Sequence, residues 1–444
     1  MPKQESLMRV ALVSLAGTTI EWYDFFLYGT AAALVFPKLF FPASMPALVA
    51  LTASFSTFAV GFIARPIGAV IFGHFGDRAG RKAALVVAML AMGVATTLIG
   101  CLPTYAAVGI VAPVLLIVLR FVQGLAIGGQ WGGAMLLVTE TAPAAKRGFY
   151  GAFAQAGVPV GVVLANLAFL ISTTATSVEG FAAWGWRVPF LLSIVLVGLG
   201  LFVKFRVEDS ATFRQARPQV ARRSPIIEAF RQHPREIALA AGAFVSGNLA
   251  FYILITFVLA YENAAGLPLS RPAMLTAVLI SMGVMFPALF IFGALSDRVG
   301  RRRIFMAGAL LAGLWAFALF PLIDTGSLAW TAFALCVGHL FGAMMYGPQA
   351  ALFAELFDTH VRYSGASLGY QIGSIFGGAL APIIATALLA EFQNSVWISV
   401  YIAVACAVSL ISVAMLKETR GLALHGATVG TDYLAARSVR NVIE

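Results

Sequence analysis

Two carboxylic acids and a tyrosine lie inside the first long apolar run of the sequence. Glu21, Asp24 and Tyr28 are spaced i, i+3 and i+7, so a helix places all three on one face. Ionisable side chains at membrane depth are costly and are functional candidates by default. A carboxylate that gains and loses a proton there is what proton-coupled transport requires. We expect Asp24 to couple protons and Glu21 to position it; the alternative is an ion pair that only holds helices together.

Arg120 is the second chemical feature, inside the apolar run 108–137, with Gln123 and Trp131 on its helical face. A guanidinium can hold a carboxylate through two parallel hydrogen bonds. Arg120 is therefore predicted either to bind an acidic substrate or to counter Asp24 until a proton arrives. Arg65, near one end of the run 48–72, has two open interpretations: snorkelling to lipid headgroups, or a role in an internal cavity.

Uncharged polar side chains inside the apolar runs complete the candidate site. In two runs they share a helical face, Asn248 with Tyr252 and His339 with Tyr346. Each of them alone is explained equally well by a hydrogen bond between helices. The predicted substrate contacts are Tyr28, Arg120, Gln123, Trp131, Gln155, Asn248, Tyr252, His339, Tyr346, Gln349, Tyr370 and Gln371.

The elements that position these residues must cross a membrane. Of 444 residues, 60% are hydrophobic and 11% charged, whereas a soluble domain is about 45–50% apolar and about 25% charged. The apolar runs are long and continuous, which favours spanning helices over a β-barrel. We predict an all-α membrane protein with twelve transmembrane helices, at residues 11–36, 48–72, 84–102, 108–137, 148–172, 184–205, 237–261, 272–295, 304–323, 328–353, 364–390 and 394–416.

The formal charge of +10 predicts orientation rather than a nucleic-acid partner. Only five of the 29 basic residues lie away from the even-to-odd turns and the two tails: Lys38, Arg65, Arg120, Arg187 and Arg271. By the positive-inside rule both termini are then cytoplasmic. The three cysteines lie in apolar runs and form neither a disulfide framework nor a metal site, so no cofactor is expected.

An internal repeat divides the chain into two halves. Residues 73–82 read GHFGDRAGRK and residues 293–302 read GALSDRVGRR, at the same place in each set of six runs. The Glu140–Arg147 spacing of seven recurs at Glu355–Arg362. We predict an N-terminal half at 1–205, a cytoplasmic linker at 206–236, a C-terminal half at 237–420 and a cytoplasmic tail at 421–444, with the halves related by an axis along the membrane normal.

These turns resemble the signature of the major facilitator superfamily. The segments EWYDFFLYG (21–29), RPIG (65–68), RFVQG (120–124) and WGWRVPF (184–190) resemble the metabolite:proton symporters, which import shikimate, citrate, α-ketoglutarate, and proline or betaine into bacteria. YGPQ (346–349) through YSG (363–365) is similar to the shikimate-like branch. The resemblance covers residues 8 to 420. It implies the major facilitator fold, a bacterial inner membrane, a monomer, and a proton-coupling role for Arg120.

The resemblance also implies a latch on the cytoplasmic side. Each turn aspartate would face the N-terminal end of a helix, while neighbouring arginines pair with the glutamates that follow spans 4 and 10. Without the resemblance, the turns could merely fix orientation and short hairpins. The predicted gate residues are Asp77, Arg78, Arg81, Glu140, Asp297, Arg298, Arg301, Glu355 and Arg362.

The sequence therefore predicts a secondary transporter that imports a small organic acid with protons by alternating access. Gln130 departs from the glutamate that this family commonly carries there, and a neutral amide cannot titrate. This departure keeps an uncoupled facilitator open as the alternative, beside a carrier of zwitterions such as proline or betaine.

An enzyme is disfavoured because the five histidines are scattered, and an ATP pump because no GxxxxGK[ST] loop exists. A channel is also less favoured, because twelve spans in two matched halves indicate alternating access.

Overall fold

In the computed structural model the described residues are 4–79, 81–128, 131–206, 225–358 and 361–422. Within these ranges, side chains are described except at residues 4–6, 73–79, 81–85, 131–134, 137, 196, 199–206, 225–228 and 263. Every regular element in the described ranges is a helix. The central part of the predicted linker and most of the predicted tail, 207–224 and 423–444, lie outside the described residues.

Sixteen helices of eight or more residues build the described chain. In order they are α1 (Gln4–Leu34), α2 (Ala47–Ala79), α3 (Arg81–Cys101), α4 (Val111–Ile127), α5 (Trp131–Thr141), α6 (Arg147–Ala175), α7 (Val188–Arg206), α8 (Pro225–Gln232), α9 (Pro234–Tyr252), α10 (Val258–Ala265), α11 (Arg271–Val299), α12 (Arg301–Asp324), α13 (Leu328–Leu356), α14 (Arg362–Ser374), α15 (Ala381–Phe392) and α16 (Val396–Met415). Short helices cover Phe36–Leu39, Tyr105–Val108, Ala144–Lys146, Val178–Ala183 and Gly185–Arg187.

Two membrane-crossing stretches of the C-terminal half contain a π-helical turn. The first turn, Ile253–Phe257, joins α9 to α10, and the second, Ile375–Ala379, joins α14 to α15. A π turn inserts one extra residue into a helix and is frequent at functional sites. In the N-terminal half, the described residues of α1 and α6 run without such a turn.

Nine stretches among the described residues are long and apolar enough to cross a bilayer. They correspond to predicted spans 1, 2, 5 and 7–12. Predicted spans 3, 4 and 6 contain shorter described apolar stretches, at Val86–Cys101, Val111–Ile127 and Gly185–Val195. The number twelve and the cytoplasmic termini remain predictions.

The two halves meet along two seams. On one, α6 packs against α11; on the other, α2 packs against α15 and the π turn before it. Gly148 and Gly293 permit the close approach on the first seam, because a Cβ on either glycine would collide with the carbonyl oxygen of the other. The candidate site lies between these seams.

Candidate functional site

A cavity with about 490 Å³ of atom-free space, part of it open to solvent, lies where the two halves meet. Its walls come from α1 and α6 on one side and from α9, α11, α13, α14 and the π turn after α9 on the other. Most of the wall is aromatic or aliphatic, with few polar groups, as is usual for small-molecule sites. The lining residues are Trp22, Phe26, Val158, Phe244, Gly247, Asn248, Ala250, Phe251, Tyr252, Leu254, Met285, Gly338, His339, Gly342, Tyr346 and Tyr370.

Five of the predicted substrate contacts line this cavity, all from the C-terminal half: Asn248, Tyr252, His339, Tyr346 and Tyr370. His339 is buried, and its Nδ1 lies 2.9 Å from the Leu335 carbonyl oxygen. Because a carbonyl only accepts, Nδ1 carries the hydrogen, and Nε2 of a neutral ring is an acceptor. Nε2 has no hydrogen-bond partner among the described residues. His339 can therefore take a hydrogen bond from a ligand hydroxyl or ammonium group.

Arg120 lies outside the cavity wall, in a fully buried aromatic cluster. Its guanidinium carbon is 4.2 Å from the centre of the Phe25 ring and 4.3 Å from that of Tyr28. Nη1 donates to Gln123 Oε1 (3.1 Å), and Nε donates to the Phe58 carbonyl at 3.4 Å. Nη2 has no partner in the described structure. Two of the three guanidinium nitrogens thus already donate hydrogen bonds, and Nη2 is available for a further one.

Gln123 connects Arg120 to a hydroxyl that faces Asp24. The Gln123 amide donates to Thr96 Oγ1 (2.7 Å), which itself donates to the Met92 carbonyl (2.8 Å). Tyr28 donates to Thr57 Oγ1 (2.7 Å). Gln123 therefore forms a hydrogen bond with Arg120, and Tyr28 lies against the guanidinium. Neither residue lines the cavity, although both were predicted to contact the substrate.

Asp24 is 1% exposed, and the structure does not pair it with Arg120. Hydroxyls of Thr96 and Ser193 face the Asp24 carboxylate, yet neither carboxylate oxygen has a partner at hydrogen-bond distance in the described ranges. Glu21 is half-buried, one turn closer to the N-terminal end of α1. Asp24 and Arg120 therefore do not form, in this structure, the ion pair that would only hold helices together.

Arg65 is the residue whose place the sequence left open. It is 1% exposed, so it does not snorkel to the membrane surface. Its guanidinium carbon lies 4.3 Å from the ring centre of Phe25 and 4.4 Å from that of Phe62. Phe25 thus contacts both buried guanidinium groups. The signal that could have found Arg65 is the one applied to Arg120, a cation within an apolar run.

The remaining predicted contacts lie around the junction of the halves or outside the described side chains. Gln155 donates to the Tyr346 carbonyl across the junction (3.3 Å), and its Oε1 has no partner in the described structure. Gln349 Nε2 and Gln371 Oε1 are likewise buried without partners there. The side chain of Trp131 lies outside the described residues, as does all of Gln130.

A charged network closes one end of the bundle; we define it as Glu140, Arg147, Asp297, Arg301, Glu355 and Arg362. Each arginine of the repeated Glu-to-Arg pairs contacts the glutamate of the other half: Arg147 Nη1 lies 2.7 Å from Glu355 Oε1, and Arg362 Nη1 lies 3.1 Å from Glu140 Oε1. Arg301 bridges Glu355 (3.3 Å) and Asp297 (2.6 Å). The structure thus joins the halves through exchanged pairs.

Asp297 also caps a helix of the opposite half. Its carboxylate accepts from the backbone N–H groups of Gly148 (2.9 Å) and Phe149 (3.0 Å), at the start of α6. An acid at a helix N-terminus is favourable because those N–H groups lack partners within the helix. Arg298 is exposed. The side chains of the matching N-terminal turn, Asp77, Arg78 and Arg81, lie outside the described residues.

The segment after α16 extends the charged network. Glu418 accepts from the backbone N–H groups of Arg301 (2.9 Å) and Arg302 (3.2 Å) at the start of α12. Thr419 donates to Glu355 (2.7 Å), and Arg147 donates to the Leu422 carbonyl (3.0 Å). At the opposite end of the bundle, Arg271 lies over the Phe181 ring at 5.6 Å. Contacts between the halves are therefore present at both ends of the bundle.

Comparison with known proteins gives one consistent family. The model of the Major Facilitator Superfamily matches residues 14–368 and 287–428. The shikimate transporter of Escherichia coli K12 is 42% identical over 420 residues, 93% of this chain and 95% of that protein. The inner membrane metabolite transport protein YhjE of the same strain is 42% identical over 93% of this chain and 94% of its own length. The proline/betaine transporter of that strain is 30% identical, covering 95% and 86%.

The solved structures show the same fold. The xylose transporter XylE from E. coli, partially occluded and inward open, matches with a TM-score of 0.72 at 17% identity, over 94% of this chain and 99% of that one. A D-xylose–proton symporter gives 0.72 at 18% identity, over 94% and 99%. The relatives are named as a shikimate transporter, an inner membrane metabolite transport protein and a proline/betaine transporter. This chain is a multi-pass membrane transporter, and it belongs to the major facilitator superfamily.

Proposed function

We propose that this transporter imports a small organic acid together with protons. The two halves, 1–205 and 237–420, rock about the cavity between them, which opens to one side of the membrane at a time. The shikimate transporter among its relatives makes a shikimate-like carboxylate the first candidate.

The observation that carries this proposal is the set of unpaired charges in the N-terminal half beside the cavity. Arg65, Arg120 and Asp24 are each at most 1% exposed, and the ion pairs of the described residues involve none of them. A buried charge without a counter-ion is costly, and the cost persists only if a function needs the free group. An anionic substrate is the partner that a buried cation without a counter-ion suits.

Asp24 is the proposed proton carrier. Its two oxygens lack partners among the described residues, while the hydroxyls of Thr96 and Ser193 face it. Ser193 can accept from a protonated carboxyl or donate to an ionised one, whereas Thr96 already donates to the Met92 carbonyl and can only accept. The Arg120–Gln123–Thr96 hydrogen bonds lead from Thr96, beside this carboxyl, to the cation. A change in the charge of Asp24 thereby alters the electrostatic field at Arg120. Glu21 assists this coupling by setting the position of α1.

The charged network is the proposed cytoplasmic gate. It forms three contacts between the halves: Arg147–Glu355, Arg362–Glu140 and the cap of α6 by Asp297. All three must break before that end opens. Since they link matched residues of the two repeats, they break together when the halves rotate apart.

A zwitterion such as betaine or proline is the second candidate substrate. The aromatic wall formed by Trp22, Phe26, Phe251 and Tyr252 favours it, because aromatic faces attract quaternary ammonium groups. Proline/betaine transporters are more distant relatives, at 30–31% identity.

The test uses the purified transporter in liposomes with an inward proton gradient. Labelled shikimate, citrate, 2-oxoglutarate, proline and glycine betaine are offered with and without a protonophore. Accumulation of an acid above equilibrium, lost with the protonophore, is the expected result. Uptake that only equilibrates would contradict proton coupling and establish a facilitator. Accumulation of betaine alone would establish the second candidate.

A further inference from the structure

Arg65 is a buried cation with hydrogen-bonding capacity that the structure leaves unused. Its Nε and Nη2 atoms have no hydrogen-bond partner among the described residues. No carboxylate of the described residues forms an ion pair with it. The residue is 1% exposed, so its charge lies away from bulk solvent.

Aromatic rings offset part of the cost of burying this charge. The guanidinium lies over Phe25, Phe62 and Trp22, with the Trp22 ring centre at 5.5 Å. Such contacts are attractive when desolvated, and they act on the face of the guanidinium. The edge formed by Nε and Nη2 stays available, in the plane that a carboxylate needs for two parallel hydrogen bonds.

The residues around Arg65 are also residues of the cavity wall. Trp22 from the N-terminal half, and Tyr252 and Tyr370 from the C-terminal half, line the cavity. All three adjoin the Arg65 side chain, the tyrosines through their hydroxyl groups. Arg65 itself does not line the cavity but lies behind these three lining residues at the junction of the halves, so a carboxylate reaches it when their side chains shift.

Arg120 is less suited to this task. Its Nε and Nη1 atoms already donate to Phe58 and Gln123, and, like Arg65, it is not among the residues that line the cavity. The edge formed by Nε and Nη2, unpaired in Arg65, is half used in Arg120 by the contact with Phe58. The two buried arginines thus differ in the availability of this edge.

We infer that Arg65 is the residue that binds the carboxylate of the substrate and selects anions over neutral analogues. The inference rests on the proposed function, that the substrate is an organic acid. Arg65 belongs to α2 while Tyr252 and Tyr370 belong to the C-terminal half, so a bound carboxylate bridges the halves at this point. Arg120 is left to the proton-coupling step.

The experiment compares each acid with its neutral ester. Shikimate, citrate and 2-oxoglutarate, each beside its full methyl ester, are titrated into the purified full-length chain, and binding is followed by tryptophan fluorescence and equilibrium dialysis. The variants are Arg65→Gln, Arg65→Lys and Arg120→Gln. Thermal melting and gel filtration show which of them fold.

We expect the unaltered chain to bind one acid at least about 100-fold more tightly than its ester, as a buried charge pair allows. Arg65→Gln abolishes this preference by weakening acid binding, with ester affinity unchanged within about threefold. Arg65→Lys keeps the charge but not the planar fork and retains a preference of about tenfold. Arg120→Gln keeps the preference and loses proton-driven accumulation in liposomes.

Two outcomes overturn the inference and are distinguishable. If the unaltered chain prefers an acid and Arg65→Gln retains the full preference, Arg65 is not the receptor although the proposed function stands. If the unaltered chain binds none of the acids, the proposed organic-acid function fails as well. Should Arg65→Gln not fold, Arg65→Lys decides, because an undiminished preference in it excludes a two-pronged contact.

Discussion

At the depth of the cavity the two halves differ in whether their buried side chains carry ionisable acid and guanidinium groups. The N-terminal half buries a carboxylate and two guanidinium groups there, at Asp24, Arg65 and Arg120. Among described residues, the buried charges of the C-terminal half are Arg301, Glu355 and Arg362, and all three belong to the charged network at one end. The groups that the C-terminal half presents to the cavity are uncharged: amide, imidazole and phenol.

The difference indicates a division of labour between two copies of one repeat. Under the proposed function, the half with charges would sense protons and the substrate anion, and the half with neutral polar groups would shape the remainder of the cavity. The π turns fit the same division, because both lie in the C-terminal half and the first contributes Leu254 to the wall. Changes at Asp24 and Arg120 should then affect coupling, changes at Arg65 the preference for an acid over its neutral ester, and changes in the C-terminal half the affinity for the rest of the substrate.

The largest effect is expected from Asp24→Asn. The amide is nearly isosteric but cannot carry a proton, so an inward gradient of one pH unit, worth about tenfold accumulation for one proton, no longer drives uptake. Accumulation in liposomes falls to the equilibrium level, whereas exchange of internal for external substrate continues. Ser56→Ala, a change at an exposed residue of α2, serves as the control. Retained accumulation in Asp24→Asn would remove Asp24 from the coupling mechanism.

A smaller effect is expected from Gly61→Ala, which changes no charge. A Cβ at Gly61 would lie 2.6 Å from Arg120 Nε, so the guanidinium must move and its contact with Gln123 weakens. Overpacking of this kind costs about 1–3 kcal/mol, and we expect the initial rate of proton-driven uptake to fall about tenfold. Gly283→Ala is the matched control, since nothing lies within 4 Å of the added carbon. Equal rates in both variants would show that the position of Arg120 is immaterial.

The smallest effect is expected from His339→Phe. This change keeps an aromatic ring in the cavity wall and removes the acceptor Nε2, whose hydrogen bond to a ligand is worth about 0.5–1.5 kcal/mol. Substrate affinity should fall about three- to tenfold, with the accumulation ratio at saturating substrate unchanged. A loss of accumulation would break the division between the halves, because it would place a coupling group in the C-terminal half.

The sequence predicted the helical membrane fold because hydrophobic run length is a strong, local signal. The repeated turns likewise indicated that Asp297, Arg301 and Glu355 belong together. The exchange of partners, Arg147 with Glu355 and Arg362 with Glu140, could not be predicted from a spacing within one half. It depends on how two distant surfaces meet, which no local pattern encodes.

Side-chain direction explains the remaining differences. Glu21, Asp24 and Tyr28 share a helix face by count, yet Asp24 faces Thr96 and Ser193 while Tyr28 contacts Thr57 and Arg120. A face of a helix is wide enough to meet several neighbours. The place of Arg65 was undecided because its distance from the end of the apolar run allowed either direction, and the rings of Phe25 and Phe62 determine which one it takes.

The segment that follows α16 sets how far the functional unit extends along the chain. Glu418 caps α12, Thr419 holds Glu355, and Leu422 accepts from Arg147 of the opposite half. A chain shortened after Met415 would keep every membrane-crossing helix and lose all three of these contacts. The functional unit therefore extends at least to Leu422 rather than only to the end of α16, and a purification tag belongs beyond that point.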